Sequence, residues 1–133
     1  MQCPACKQAM LILEYKGIEL DHCVVCGGVW LDAGELGLLL NGTPEPPEFL
    51  TLAGAQHGTR RCPRCARKMD VGRLSHSAVE VDACGAGHGI WLDRGELITL
   101  AREQTGRPET EAVIQHLREL FGEEQTQTKE KET

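Results

Sequence analysis

The chain has 133 residues, 41% of them hydrophobic and only 4% aromatic, with a net charge of −6. That is room for one ordinary domain or two very small ones, and a unit of about 40 residues with so few large side chains needs a staple to fold. The acidic balance argues against general affinity for nucleic-acid phosphates, and the longest apolar run, Leu38 to Leu40, is too short to cross a bilayer.

The first element is a turn. Cys3-Pro4-Ala5-Cys6 places two thiols three positions apart, with a proline fixing φ after the first. The seven cysteines of the chain fall mostly in such pairs, which is a metal pattern rather than a disulfide pattern. Cys3 follows Met1 and Gln2 directly with no secretory segment between, so a soluble, cytoplasmic and reducing setting is expected. Met10 to Tyr15 and Ile18 to Asp21 then predict two short strands turning at Lys16-Gly17. The hairpin would bring a second knuckle, Cys23 and Cys26, to the first. Zinc takes four ligands in a tetrahedron, and four thiols from two knuckles close a structural site. Cys3, Cys6, Cys23 and Cys26 are therefore the ligands expected at site 1.

Trp30-Leu31-Asp32-Ala33-Gly34-Glu35-Leu36 follows. Asp32 with Glu35 three positions on predicts a capping box opening a short helix that carries Leu36, Leu38, Leu39 and Leu40. Paired carboxylates for acid–base chemistry are the alternative, and capping explains them with fewer assumptions. Trp30 is expected to cover the knuckle and fill a small core rather than to stack on a base.

Residues 42–59 are expected to be a linker, because Pro44, Pro46 and Pro47 exclude a helix interior. Phe49, Leu50 and Leu52 are candidates to dock on a ribbon.

The second unit, 60–106, repeats the first. Cys62-Pro63-Arg64-Cys65 matches Cys3–Cys6 at an offset of 59 positions. Glu80-Val81-Asp82-Ala83-Cys84 and Trp91-Leu92-Asp93-Arg94-Gly95-Glu96-Leu97 match at an offset of 61. The two extra residues belong in the hairpin around Ser75-His76-Ser77. Gly87 stands where Cys26 stands in the first copy, leaving Cys62, Cys65 and Cys84. His88, one residue on, is the favoured fourth ligand because an imidazole reaches farther than a thiol; His76 is the next candidate. Three thiolates and an imidazole hold zinc with less negative charge than four thiolates, so site 2 is expected to be the weaker. Arg60, Arg61, Arg64, Arg67 and Lys68 crowd the first knuckle of this unit, which carries +2 where residues 1–41 carry −3. These five are candidate nucleic-acid contacts.

Pro108 then suits a helix start, and Val113, Ile114, Leu117, Leu120 and Phe121 share one helical face over 109–121. The helix is expected over 107–122, packed on the ribbons or forming a homodimer seam. Residues 123–133 are polar and expected to be disordered.

The blocks C-P-x-C, D-x-C and W-L-D-x-G-E-L resemble the transcription factor IIB-type zinc-ribbon family over about residues 1–40 and 60–101. The resemblance implies a zinc ribbon twice over, with Cys3, Cys6, Cys23, Cys26, Cys62, Cys65 and Cys84 at the family's ligand positions. His88 is assigned by its reach, not carried from the family. Members are described as zinc-containing nucleic-acid-binding proteins, while the namesake ribbon docks on a protein surface, RNA polymerase.

The expected fold is thus a small metal-stabilised α+β chain: two tandem zinc ribbons, each knuckle, β-hairpin, knuckle and short helix, followed by an amphipathic helix. Two structural Zn2+ ions are expected. An alternative packs the two ribbons face to face. The expected function is that of a non-enzymatic protein-interaction adaptor connected with transcription, with no membrane contact. Nucleic-acid binding through residues 60–68 is the alternative. A thiol-redox or hydrolytic enzyme is disfavoured, since closed four-ligand sites leave neither a free thiol nor a water position.

Overall fold

A computed structural model describes residues 1–74 and 77–103, with Gln115 and Glu119 beyond them. His76, most of the helix expected over 107–122 and the tail 123–133 lie outside the described residues.

The chain runs β1 (Leu11–Tyr15), β2 (Ile18–His22), β3 (Val29–Asp32), α1 (Glu35–Asn41), a 3-10 turn (Pro47–Leu50), β4 (Leu52–Arg61), β5 (Lys68–Leu74), β6 (Glu80–Ala83), β7 (Gly89–Leu92) and α2 (Glu96–Arg102). All the strands join one antiparallel sheet in the order β1-β2-β3-β7-β6-β5-β4. The first hairpin lies where its apolar pattern put it, with β1 and β2 turning at Lys16-Gly17, and β5 and β6 flank the second at the place the repeat gave it. No helix among the described residues is long and apolar enough to cross a membrane.

The two ribbons meet at the centre of the sheet. β3 pairs with β7 in the register Val29↔Leu92, Trp30↔Trp91, Leu31↔Ile90 and Asp32↔Gly89. The ribbons therefore join edge to edge, not face to face. The reason is that a three-strand ribbon alone would expose the outer edge of β3 or β7, and a row of unpaired N–H and C=O groups next to apolar side chains is costly to leave open. Joining the edges satisfies both.

Side chains alternate across these strands and so build two layers. One face packs Leu20, Val29, Leu31, Leu74, Val81, Ile90 and Leu92 against α1 and α2, which contribute Leu36, Leu39, Leu40, Leu97, Ile98 and Leu100. The other face holds Met10, Trp30, Met69 and Trp91 among the buried cysteines. Both tryptophans are fully buried.

The segment expected as a linker, 42–59, is more ordered than its prolines suggest. After the 3-10 turn, most of β4 lies within it, paired to β5 at Gln56↔Val71 and Arg61↔Lys68. Phe49, Leu50 and Leu52 pack against the helix-side core. The composition Leu-Ala-Gly-Ala-Gln-His-Gly-Thr hides a strand because its glycines and alanines have no β preference of their own; pairing with β5 supplies the order.

Candidate metal centre

Each knuckle is a turn that aims two ligand atoms at one point. In the first, Lys7 N–H donates to Cys3 C=O (2.9 Å) and Cys3 N–H to Gln8 C=O (2.8 Å). The second copy repeats this with Ala66 to Cys62 (2.8 Å) and Cys62 to Arg67 (2.8 Å). Ala5 and Cys6 N–H groups point at the Cys3 sulfur at 3.3 and 3.4 Å, and Arg64 N–H at the Cys62 sulfur at 3.3 Å. Backbone N–H groups aimed at sulfur favour thiolate over thiol.

The hairpins bring the knuckles together. Cys3, Cys6, Cys23 and Cys26 form one group, and Cys62, Cys65, Cys84 and His88 another, each with all four ligand atoms within 4.8 Å of one another. Sulfur separations are 3.6 Å for Cys3–Cys26, 3.3 Å for Cys6–Cys23 and 3.7 Å for Cys65–Cys84. A tetrahedral ion with Zn–S near 2.3 Å sets sulfurs about 3.8 Å apart. These spacings suit a metal and are far too long for disulfides, and all seven cysteines are free. His88 Nδ1 lies 3.8 Å from the Cys62 sulfur and 3.5 Å from that of Cys84. With Zn–N near 2.0 Å, about 3.6 Å is expected between nitrogen and sulfur. The donor set therefore fits two structural zinc ions, held by four thiolates at site 1 and by three thiolates and one imidazole at site 2. Such ions supply the cohesion that each small ribbon lacks.

The last knuckle shows how His88 reaches its place. In site 1 the turn closes from Gly27 N–H to Cys23 C=O, and Gly27 takes the positive φ after the ligand Cys26. In site 2 it closes from Gly87 N–H to Cys84 C=O (2.9 Å), one residue sooner, and Gly87 takes the positive φ. The ligand then comes from the residue after the bend, which only a longer side chain can provide. Both turns end alike, with Cys23 N–H on Gly28 C=O and Cys84 N–H on Gly89 C=O.

Burial raises the thiols of Cys3 and Cys62, to about 12 and about 11. At Cys23 and Cys84 burial also acts upward, but hydrogen bonds from backbone N–H groups and neighbouring cysteines outweigh it and bring each down to about 7. One thiol per site is thus close to ionising near neutrality.

The repeated Trp-Leu-Asp-x-Gly-Glu-Leu segment is not the expected capping box. α1 and α2 start at Gly34 and Gly95, both with positive φ, and neither has a side-chain cap from its aspartate. The aspartates turn instead to the indoles: Trp30 Nε1–H donates to Asp32 (2.9 Å) and Trp91 Nε1–H to Asp93 (3.1 Å). Half of the box survives, because Glu35 accepts from Asp32 N–H (2.8 Å) and Glu96 from Asp93 N–H (2.7 Å). The N-terminus of α1 is capped from outside the repeat by Glu45, which accepts from Gly37 N–H (2.6 Å) and from Gly34 N–H. No spacing rule could have shown Glu45. A buried tryptophan needing an acceptor could have shown the aspartates' role.

Two residues of the basic cluster of ribbon 2 are held by carboxylates, and only Arg60 of the five is part-buried. Arg60 Nη1 lies 2.8 Å from both oxygens of Asp93 and 3.4 Å from Asp82. Arg64 crosses the seam to grip Asp32 of ribbon 1, with Nη2 at 2.8 Å. Arg61 donates to Ala66 C=O (2.9 Å). Arg67 and Lys68 are exposed, with no ion pair among the described residues. Contacts also cross the seam the other way. Ala33 N–H donates to His88 C=O (2.9 Å), and the Arg94 side chain lies against Gly27.

The family model for transcription factor zinc-fingers matches residues 2–42 and 61–103, the two units carrying these metal groups. Neither the curated proteins nor the solved structures hold a match to this chain. Two matched regions cover more than half of the sequence, each with its ligand group assembled, and on that ground the chain belongs to the transcription factor IIB-type zinc-ribbon family, in two tandem copies.

Proposed function

We propose that this chain is a non-enzymatic adaptor that presents ribbon 1 to a protein partner of the transcription machinery. The observation that carries the reading is a difference between the copies. Every large hydrophobic side chain that is exposed among the described residues lies in ribbon 1: Met1, Leu11, Ile12, Val24 and Val25. Val24 and Val25, 61% and 60% exposed, stand between the ligands Cys23 and Cys26 on the tip of a rigid knuckle. Ribbon 2 has Gly85 and Ala86 at the matching positions. Apolar side chains held out on a metal-fixed turn suit a protein interface better than a phosphate backbone.

The nucleic-acid reading loses two of its five contacts, since Arg60 and Arg64 are bound to Asp93, Asp82 and Asp32. The buried tryptophans have no face to offer a base. Arg61, Arg67 and Lys68 remain for it, with Lys7 and Arg61 flanking a cleft of about 210 Å³ between the two first knuckles.

The test is capture of partners by the zinc-loaded chain from lysate, with and without nuclease. The adaptor reading expects nuclease-resistant capture that is lost when Val24 and Val25 are both changed to Ser. Capture abolished by nuclease, or by charge reversal at Arg67 and Lys68 alone, would move the function to nucleic acid.

A further inference from the structure

Three of the four ligand-bearing turns are held by the opposite ribbon. At site 1, the Arg94 side chain packs on Gly27, the residue after the ligand Cys26. At site 2, Ala33 N–H donates to the C=O of the ligand His88 (2.9 Å). Arg64, between the ligands Cys62 and Cys65, reaches Asp32 (2.8 Å). The backbones close in as well. A Cβ on Gly28 would stand 3.0 Å from Leu92 C=O, and one on Gly89 would stand 2.2 Å from Leu31 C=O. Each second knuckle is therefore pressed against a strand of the other ribbon.

The two metal groups also share a core. The buried ligands Cys3, Cys23, Cys62 and Cys84 belong to a single cluster with Trp30 and Trp91, and neither indole is exposed. A ribbon of about 40 residues keeps its shape only while its ion is bound. Emptying one site therefore takes from the other ribbon its strand partner across β3–β7 and uncovers a tryptophan that the seam buries. The free energy of metal binding at either site then includes the seam only while the other site is filled.

We propose that the seam couples the two zinc sites, so that an ion at either one tightens binding at the other. Such coupling is reciprocal: whatever factor site 1 confers on site 2, site 2 confers on site 1. The four thiolates still hold their ion longer, so the coupling narrows the interval between the two losses without closing it. The proposal stands independently of the adaptor reading. Within that reading it ties Val24 and Val25, on the knuckle of site 1, to the ion held by His88 in the other ribbon.

The test measures zinc affinity at site 2 in the full chain, with the His88 ring resonances followed under graded chelator. In the chain with both Cys23→Ser and Cys26→Ser, site 1 lacks two ligands while every ligand of site 2 is intact. Site 2 is expected to bind zinc about tenfold or more weakly there than in the unaltered chain. Gly28→Ala keeps all eight ligands and opens the seam. It should weaken site 2 while site 1 is loaded, and have no further effect in the Cys23/Cys26 variant, whose seam is already lost. Should that variant not stay in solution, Gly28→Ala alone decides, by whether site 2 weakens with site 1 still filled. An unchanged His88 titration overturns the proposal. So does a tighter site 2 in the Cys23/Cys26 variant, which would mean that repulsion between two anionic centres outweighs the seam. An effect of Gly28→Ala that is equal in both backgrounds overturns it too.

Discussion

The indole of Trp91 occupies the space that a side chain on Gly28 would need. A Cβ there would lie 2.1 Å from Cζ2 of the ring, and one on Gly89 would lie 2.8 Å from Cζ2 of Trp30. Each tryptophan thus covers a glycine of the other ribbon, next to that ribbon's second knuckle.

Gly28→Ala or Gly89→Ala should therefore disturb both ribbons at once. Overpacking of a closed core costs about 1–3 kcal/mol, and the ring has no free space to retreat into. Denaturant unfolding should show the loss, and zinc affinity should fall at the site whose ligands were untouched. An alanine at either position that left the unfolding midpoint unchanged would contradict the exchange of rings across the seam.

Metal content should be two zinc ions per chain, lost in order. Three thiolates and an imidazole hold less charge on the ion than four thiolates, and protons compete for the imidazole as pH falls. Native mass spectrometry under graded chelator should show a one-zinc species before the empty chain. His88→Ala should start from that species, and His88→Cys should restore the second ion. Simultaneous release of both ions would count against the ordering.

Two arginines should behave differently on truncation. Arg64–Asp32 is a partly exposed pair, and Arg64→Ala should cost at most about 1 kcal/mol, less at high salt. Arg60→Ala strands the buried Asp82 and should cost more, on the order of 2 kcal/mol. Double-mutant cycles with Asp32→Ala and Asp82→Ala measure both couplings, and equal costs would refute the distinction.

Glu35 and Glu96 give the stability a pH dependence. Burial raises both carboxyls from 4.5 to about 7, so folding favours their protonated form. Their contribution is fully present below pH 4.5 and is lost as pH rises through about 7. Glu35→Gln and Glu96→Gln keep the oxygen that accepts from Asp32 or Asp93 N–H. At saturating zinc each should gain on the order of 1 kcal/mol at pH 8.5, after allowance for solvent screening, and less at pH 6. The same gain at both pH values would show that the carboxyl does not titrate as proposed.

Local chemistry was readable in the sequence where it depends on residues close together. The paired cysteines, the hairpin at Lys16-Gly17 and the shift from Gly87 to His88 all concern spacing, and spacing fixes how far a ligand can reach. The seam was not readable. Nothing in Val29–Asp32 says whether its free edge meets solvent, its own hairpin or Gly89–Leu92, because pairing depends on which edges are left over once the hairpins form. Asp32 misled for a related reason: the capping spacing is satisfied, but a buried indole N–H competes for the same carboxylate and wins. Arg60 and Arg64 read as a cationic patch because their acidic partners sit 22 to 33 positions away.

The β3–β7 seam also bears on what tandem duplication provides. A chain with a single ribbon of this pattern could close its free edge only by pairing with an identical molecule, and every substitution would then appear on both sides of the axis. Covalent linkage lifts that constraint. One half can carry valines on its knuckle, while the other exchanges a thiol for an imidazole and covers its flank with β4. The asymmetry from which a directional connector can be built is available here because both halves are encoded separately and folded together.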